Sequence, residues 1–97
     1  MTVDRFQILT AAADLTGGDR LTDYGEPKAN LWAIAQFWSV QIGDKLKPGE
    51  RITASEAALM LALLKFARAR TSPDKLDTYN DAAAYVAIAG ECAEIEE

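Results

Sequence analysis

The segment TASEAALMLALLKFARAR, residues 53–70, decides the fold of this chain. It opens with Thr53 and Glu56 at the spacing of a capping box, in which each residue satisfies an unpaired backbone N–H of the other at a helix start. From Ala57 to Leu64 every residue is apolar, so the helix has no polar face there. Such a helix normally lies at the centre of a bundle or in an oligomer interface. We therefore predict an all-α fold with a central helix from Ala54 to about Arg70.

Glycine and proline residues divide the rest of the chain into three further segments with helical periodicity. The first runs from about Val3 to Leu15, and the second runs from Pro27 to about Ile42. The last follows Ser72-Pro73, which we expect to supply its cap and a first-turn proline, and it reaches about Glu94. These segments predict a single all-α domain over residues 1–97 that resembles a four-helix bundle.

Two of the four predicted helices are apolar on nearly every side, from Ala57 to Leu64 and from Ala82 to Ala89. A chain of 97 residues buries a smaller fraction of its surface than a larger domain does and cannot readily cover two such helices by itself. We therefore expect homo-oligomerisation, into a dimer or a larger assembly, to complete the bundle.

The composition excludes several classes of function. Ten basic and fifteen acidic residues give a net charge of -5, so the chain lacks the cationic excess that neutralises nucleic-acid phosphates. The absence of histidine excludes His-based catalysis and His-ligated zinc. With a single cysteine, Cys92, and no leader-like or membrane-spanning run, we expect a cytoplasmic protein with neither a nucleic-acid nor a membrane partner.

Acidic and basic residues flank the short turn between the last two predicted helices. If these helices form an antiparallel hairpin, Lys65 faces Asp81 and Arg68 approaches Asp77. The two aspartates are four residues apart on one helix face, and we expect both to be partly buried. Two interpretations remain open. The aspartates hold Mg²⁺ while the cations bind phosphate, or the four residues form two structural salt bridges.

Other candidate residues have a structural alternative as well. Glu56 acts as a helix cap, or it joins a composite site across an oligomer interface. The glycine-containing loop before the second helix offers Arg20 to a phosphate and Tyr24 to a base, or it is a polar turn. Trp32, Trp38 and Tyr85 stack on a nucleobase, or they belong to the core.

Three runs of this sequence resemble a family of small phage and prophage proteins, uncharacterised or MazG-like. The runs are GDRLTDYGEPKANLWAIAQFWS (18–39), ITASEAALMLALLKFAR (52–68) and DTYNDAAAYVAIAGE (77–91). The resemblance covers most of the chain, about residues 15–91. Its most specific elements are separated polar and aromatic positions: Asp19-Arg20 with Tyr24-Gly25 and Pro27, Asn30 with Ile34-Ala35 and Trp38, Lys65 with Arg68, and Asp77 with Asp81 and Tyr85.

The MazG-like resemblance implies an all-α nucleoside triphosphate pyrophosphatase that is oligomeric and depends on Mg²⁺. Such enzymes cleave a nucleoside or deoxynucleoside triphosphate between the α and β phosphates, giving a monophosphate and pyrophosphate. The resemblance implies that Asp81, with Asp77, binds the metal and that Lys65 contacts the phosphates. The second helix departs from the family pattern because it lacks the acidic EExxE motif. The acids that could substitute for it are Asp19, Asp23, Glu26 and Glu56.

From the residues and this resemblance together, we expect a nucleotide-binding protein of the host-cell cytoplasm with Mg²⁺-dependent pyrophosphohydrolase chemistry and water as the nucleophile. The expected catalytic residues are Asp81 and Lys65, and the expected metal ligands are Asp77 and Asp81. The expected substrate-binding residues are Arg20, Tyr24, Asn30, Trp38, Arg68 and Tyr85. The alternative is a non-catalytic helical accessory protein that binds a host protein or sequesters a nucleotide signal.

Overall fold

The computed structural model describes residues 3–17 and 27–96 of the chain. Within those ranges it contains four α-helices and no β-strand: α1 (Arg5–Leu15), α2 (Pro27–Gln41), α3 (Ala54–Thr71) and α4 (Leu76–Glu96). A short 3-10 turn, Gly43–Lys45, follows α2. The predicted all-α class is confirmed. Among the described residues, no helix has the combination of length and apolar composition that crossing a membrane requires.

Side-chain caps determine where α1 and α3 begin. The Glu56 amide donates to Thr53 Oγ1 at 3.2 Å, and the Thr53 amide donates to Glu56 Oε1 at 2.9 Å, which confirms the predicted capping box. The same reciprocal arrangement joins Asp4 and Gln7. The Asp4 amide donates to Gln7 Oε1 and the Gln7 amide donates to Asp4 Oδ1, both at 2.9 Å. Because Asp4 is the cap, α1 begins at Arg5, two residues later than predicted.

The last helix also begins later than the sequence predicted. The Ser72 amide donates to the Arg68 carbonyl at 2.9 Å, so Ser72 caps the end of α3 and does not start α4. The Lys75 amide then donates to the Ser72 carbonyl at 3.3 Å, closing a turn that contains Pro73. Pro73 therefore lies in the turn, and the first residue of α4 is Leu76.

The hairpin of α3 and α4 is the main packing unit of the molecule. The other two helices pack on it, α1 against α4 and α2 mainly against α3. A serine ties α2 to the segment before α3, because Ser39 Oγ donates to the Ala35 carbonyl at 2.7 Å and accepts from the Ile52 amide at 2.8 Å. The connection from Gly43 to Ile52 is thus anchored at its far end.

Small side chains dominate the core. Its buried cluster consists of Leu31, Ala35, Ile52, Ala54, Ala57, Ala58, Ala89 and Cys92. Among the described residues, no large side chain is completely buried. Many large apolar side chains are instead exposed, including Trp32, Phe37 and Val40 of α2, and Leu59, Met60, Leu63, Leu64 and Phe66 of α3. The helices of this chain therefore contact each other largely through alanine side chains and leave many of their large apolar side chains at the surface.

Candidate functional site

The α3–α4 hairpin brings Lys65 and Asp81 together, as its register predicted. Lys65 Nζ lies 3.1 Å from Asp81 Oδ2, and the two side chains are 17% and 33% exposed. Each charge is therefore partly withdrawn from water and has an opposite charge beside it. A pair in this position holds the carboxylate and the ammonium in a defined orientation toward the space next to them.

That space is a polar pocket at the turn end of the hairpin, with a volume of about 380 Å³. We call it the hairpin pocket, and its lining residues are Lys65, Arg68, Thr71, Ser72, Lys75, Asp77, Thr78 and Asp81. Among these described residues there are three cations, two carboxylates and three hydroxyl groups. The local excess of one positive charge contrasts with the net charge of -5 on the whole chain.

The second predicted pair, Arg68 with Asp77, is not formed as an ion pair in the described part of the chain, although both residues line the pocket. Asp77 is also exposed, so the prediction that both aspartates are partly buried is wrong for this one. The reason lies in its position in the first turn of α4, beside the end of the hairpin, whereas Asp81 lies one turn deeper. Arg68, in the last turn of α3, is likewise exposed.

The helix dipoles give Arg68 and Asp77 a structural role of their own. A cation is favourable near the C-terminus of a helix and an anion near the N-terminus. Arg68 and Asp77 occupy these two positions, at the end of α3 and the start of α4. The N-terminus of α4 also directs its first backbone N–H groups toward this end of the hairpin, where an anionic ligand is favoured.

The described residues contain no group of three or more Asp, Glu, Cys or His side chains that could hold a metal ion by themselves. Asp77 and Asp81 provide two carboxylates at the pocket. Mg²⁺ is commonly bound through one or two carboxylates together with phosphate oxygens and water. The donor set therefore fits Mg²⁺ that arrives with a phosphorylated ligand, and it is too small for a metal centre made by the protein alone.

The residues predicted to shape a base pocket lie elsewhere. Trp38 is partly buried and packs on the core cluster, while Asn30 is exposed in the first turn of α2. Tyr85 is partly buried on α4 and lines neither the hairpin pocket nor the neighbouring groove described below. Two predicted ligand-binding residues, Arg20 and Tyr24, lie outside the described residues. So do Asp19, Asp23 and Glu26, whereas Glu56 is the predicted cap of α3.

Sequence reasoning missed two features next to Lys65. Lys75 adds a third cation to the hairpin pocket from the turn between the helices. An apolar groove of about 530 Å³ adjoins the pocket on the other side of Lys65. The hairpin register that paired Lys65 with Asp81 also places Phe66 near Tyr79, so a search for apolar pairs in the same register would have found these two lining residues but not Leu9 of α1.

Comparison with known proteins places the chain in a family. Residues 7–93 match the family described as a domain of unknown function, DUF6378. The chain is also 36% identical over 81 residues to the Gene 55 protein of Mycobacterium phage L5. That alignment covers 84% of this chain and 49% of the phage protein, so the chain spans about half the length of this relative.

No solved structure matches the chain. Neither description above names a nucleotide or a pyrophosphatase, so the MazG-like resemblance remains a prediction. The family match extends over most of the chain and includes the whole α3–α4 hairpin up to residue 93. The chain therefore belongs to the DUF6378 family and is similar to a phage protein.

Proposed function

We propose that this chain binds a nucleotide through its phosphate groups in the hairpin pocket. The observation that carries the proposal is the convergence of Lys65, Arg68 and Lys75 on one pocket of an acidic chain. Charge-assisted hydrogen bonds from lysine and arginine are the usual means of holding phosphate oxygens. Three hydroxyl groups among the described lining residues add neutral hydrogen-bonding partners.

Bound Mg²⁺ would explain why two carboxylates line a pocket that is proposed to hold phosphate. Without a metal, Asp77 and Asp81 would repel a phosphate, but with Mg²⁺ they would hold the ion while phosphate oxygens complete its coordination. The ion would supply neutralisation of the phosphate charge. Because the described residues provide only two carboxylates here, we expect Mg²⁺ and the nucleotide to bind together and each to weaken when the other is withheld.

Pyrophosphohydrolysis is the reaction that the MazG-like resemblance implies for such a site. In that reaction, Lys65 and Arg68 would stabilise negative charge on the phosphate oxygens as the bond between the α and β phosphates breaks. Lys65 also holds Asp81 through their 3.1 Å contact, which keeps the carboxylate oriented toward the pocket. The products would be a nucleoside monophosphate and pyrophosphate.

A second candidate function is nucleotide sequestration without hydrolysis. It is favoured by the small carboxylate set, since the described residues lack a third acidic side chain at the pocket. Two carboxylates can hold one Mg²⁺ together with phosphate oxygens, but they leave no further acidic side chain among the described pocket residues for a second ion or for the attacking water. Release of pyrophosphate separates the two candidates, because both require binding and only one requires bond cleavage.

The proposed active form is a homo-oligomer. Helix α3 exposes four large apolar side chains: Leu59, Met60, Leu63 and Leu64. Large apolar residues are usually buried in soluble proteins, and a large exposed apolar patch indicates a contact surface. A second copy of this chain would cover these residues. The competing occupant is a host protein, which is the non-catalytic alternative from the sequence.

Thermal unfolding tests the binding proposal. The purified chain is melted with a panel of ribo- and deoxynucleoside triphosphates, with and without Mg²⁺, and each mixture is assayed for pyrophosphate. A ligand at 100 times its Kd stabilises the native state by about 2.7 kcal/mol, which raises the Tm of a domain of this size by roughly 10–20 °C. We expect this rise with nucleotide and Mg²⁺ together, and no rise with Mg²⁺ alone.

The double variant Lys65→Gln, Arg68→Gln should lose the rise, while Lys45→Gln, an exposed lysine of the 3-10 turn, should keep it. Release of pyrophosphate identifies the hydrolase, and stabilisation without release identifies sequestration. If no nucleotide raises the Tm under any condition, the proposal is wrong and a protein-binding module takes its place.

A further inference from the structure

The apolar groove beside the hairpin pocket has a polar end that the two sites share. It is lined by Leu9, Lys65, Phe66, Ala69, Thr78, Tyr79, Ala82, Ala83, Val86 and Ala87. Lys65 and Thr78 also line the hairpin pocket, so the two spaces meet along these residues. Their volumes, about 530 Å³ and 380 Å³, each lie within the roughly 300–1,000 Å³ of small-molecule sites.

The lining of the groove is mostly apolar and includes two aromatic rings. Alanines contributed by α3 and α4 leave room between the helices, and Phe66 and Tyr79 are aromatic members of the lining. Both rings are available to a ligand, since Phe66 is 50% exposed and Tyr79 is 38% exposed. The Tyr79 hydroxyl donates to the Pro73 carbonyl at 2.7 Å, which holds its ring in one orientation. The groove therefore suits a planar group that stacks on an aromatic ring.

Among the described lining residues of the groove, few side chains have a hydrogen-bonding group available to recognise such a ligand. The Tyr79 hydroxyl is engaged with Pro73, and Lys65 Nζ contacts Asp81 and is the proposed partner of the phosphates. Thr78 contributes a hydroxyl, and the other side chains that the structure describes in the lining are apolar. Strong discrimination between similar ligands requires polar groups placed against their hydrogen-bonding edges. Stacking alone is tolerant of identity, because every nucleobase has a π-face.

We infer that the apolar groove holds the base of the nucleotide whose phosphates lie in the hairpin pocket, and that it accepts all four bases. This inference rests on the proposed function and adds the position and the selectivity of base recognition. The shared residues Lys65 and Thr78 make one continuous site for a ligand with an anionic part and a flat, apolar-faced part. The base site differs from the one predicted from sequence, which used Asn30, Trp38 and Tyr85.

The test compares ligands that contain or lack a base. Isothermal titration calorimetry with Mg²⁺ measures the Kd of the α,β-methylene forms of ATP, CTP, GTP and UTP, and of inorganic tripolyphosphate. The methylene group prevents cleavage between the α and β phosphates during the titration. We expect the four nucleotides to agree within about tenfold and to bind at least fivefold more tightly than tripolyphosphate, as stacking of one base contributes roughly 5- to 150-fold.

Variants then locate the base. Phe66→Ala should weaken binding of the ATP analogue by at least fivefold and leave tripolyphosphate unchanged, and Tyr79→Ala is a second variant in case the first does not fold. Phe37→Ala, an exposed phenylalanine on α2, is the matched control and should change neither ligand. Circular dichroism and light scattering verify the fold and the oligomeric mass of each variant.

Every other outcome contradicts the base site, its tolerance or the proposed function. Equal affinity for tripolyphosphate and nucleotides overturns the base site but leaves phosphate binding standing. A preference above about tenfold for one base overturns the predicted tolerance. Equal weakening of both ligands by the folded Phe66 and Tyr79 variants, or a change in oligomeric mass, assigns the groove to packing and overturns the inference. Absence of binding by every ligand overturns the proposed function itself.

Discussion

At the scale of single residues, the pairing of Lys65 with Asp81 matters most. Asp81 is one turn into α4, where the hairpin covers part of its surface, and its contact with Lys65 Nζ is 3.1 Å. Asp77, four residues earlier, is exposed and belongs to the first turn. The two carboxylates that look equivalent in the sequence thus have different surroundings. Asp81 is the one held in place, and we expect it to matter more for binding the metal.

Asp81→Asn should abolish the Mg²⁺-dependent rise in Tm caused by a nucleoside triphosphate. Asparagine preserves the shape of the side chain but removes the negative charge that would hold Mg²⁺. Thermal unfolding followed by circular dichroism measures both the helical content and the Tm of the variant. Asp44→Asn, in the exposed 3-10 turn, is the control and should behave as the unmodified chain. An undiminished rise with Asp81→Asn would remove this residue from the site.

At the scale of helices, the two capping boxes show how local sequence sets the limits of an element. The box of α3, Thr53 with Glu56, was predicted from its spacing. The box of α1, Asp4 with Gln7, follows the same rule but was not identified from the sequence. In α1 the third residue is glutamine, which shows that a neutral amide makes the same hydrogen bond here as the Glu56 carboxylate does in α3.

We expect Thr53→Ala to lower the free energy of unfolding by about 1 kcal/mol, as is typical for loss of a helix cap. The matched variant Glu56→Gln should have a much smaller effect, because Gln7 fills the same position in α1. Urea denaturation measures both. A loss with Glu56→Gln as large as that with Thr53→Ala would mean that the charge of Glu56, and not its hydrogen bond, stabilises the helix.

The buried side of α3 is made almost entirely of alanine. Ala54, Ala57, Ala58 and Ala62 are all buried, and Ala57 and Ala58 have no exposed surface. These small side chains let the neighbouring helices approach closely. A larger residue at the same place must displace a helix or adopt a strained rotamer. The alanine face is thus the feature that determines how closely the hairpin and α2 pack.

Ala57→Leu should therefore destabilise the chain by roughly 1–3 kcal/mol, the usual cost of an overpacked core. Leucine is as good a helix former as most residues, so the loss reports packing and not propensity. Ala67→Leu, an exposed position on the same helix, serves as the control. Chemical denaturation at equal protein concentrations gives both values. Equal stabilities of the two variants would show that Ala57 is not a close-contact position.

At the scale of the whole molecule, the protein is elongated and many of its large apolar side chains are exposed. Its radius of gyration is 14.7 Å, compared with about 12.5 Å for a compact domain of this length. Its dimensions, 51 × 31 × 24 Å, are those of an elongated helical layer. A single copy therefore leaves more surface in water than its length requires, which supports the proposed homo-oligomer.

Leu63→Glu should dissociate the proposed oligomer into single chains at micromolar concentration. Leu63 is 61% exposed on α3 in the single copy, so glutamate costs little there and much in an apolar interface. Multi-angle light scattering after size exclusion measures the mass. Thr10→Glu, an exposed change on α1, should leave the assembly intact. If the unmodified chain already has the mass of one copy, the homo-oligomer is excluded, and the exposed apolar residues of α3 would then contact a different protein.

Much of the helical architecture and one part of the candidate site could be predicted from the sequence. The four helices, the cap at Thr53 and the contact of Lys65 with Asp81 all follow from short-range rules. The exposure of Asp77 and the contribution of Lys75 could not be predicted, since both depend on how the turn closes. Arg20 and Tyr24 lie outside the described residues, so their predicted roles are untested.

The sequence by itself determined the elements and the register of the hairpin. Caps, prolines and helical periodicity act over a few residues. A short turn between two helices makes them antiparallel neighbours, and this sets which residues of the two helices face each other. Only the tertiary structure decided which side of α3 is buried, because Ala57 to Leu64 is apolar all round and periodicity cannot choose between its faces. Close packing placed the alanines inside and left Leu63 and Phe66 outside. The same choice opened the apolar groove beside Lys65, which depends on contacts between distant segments.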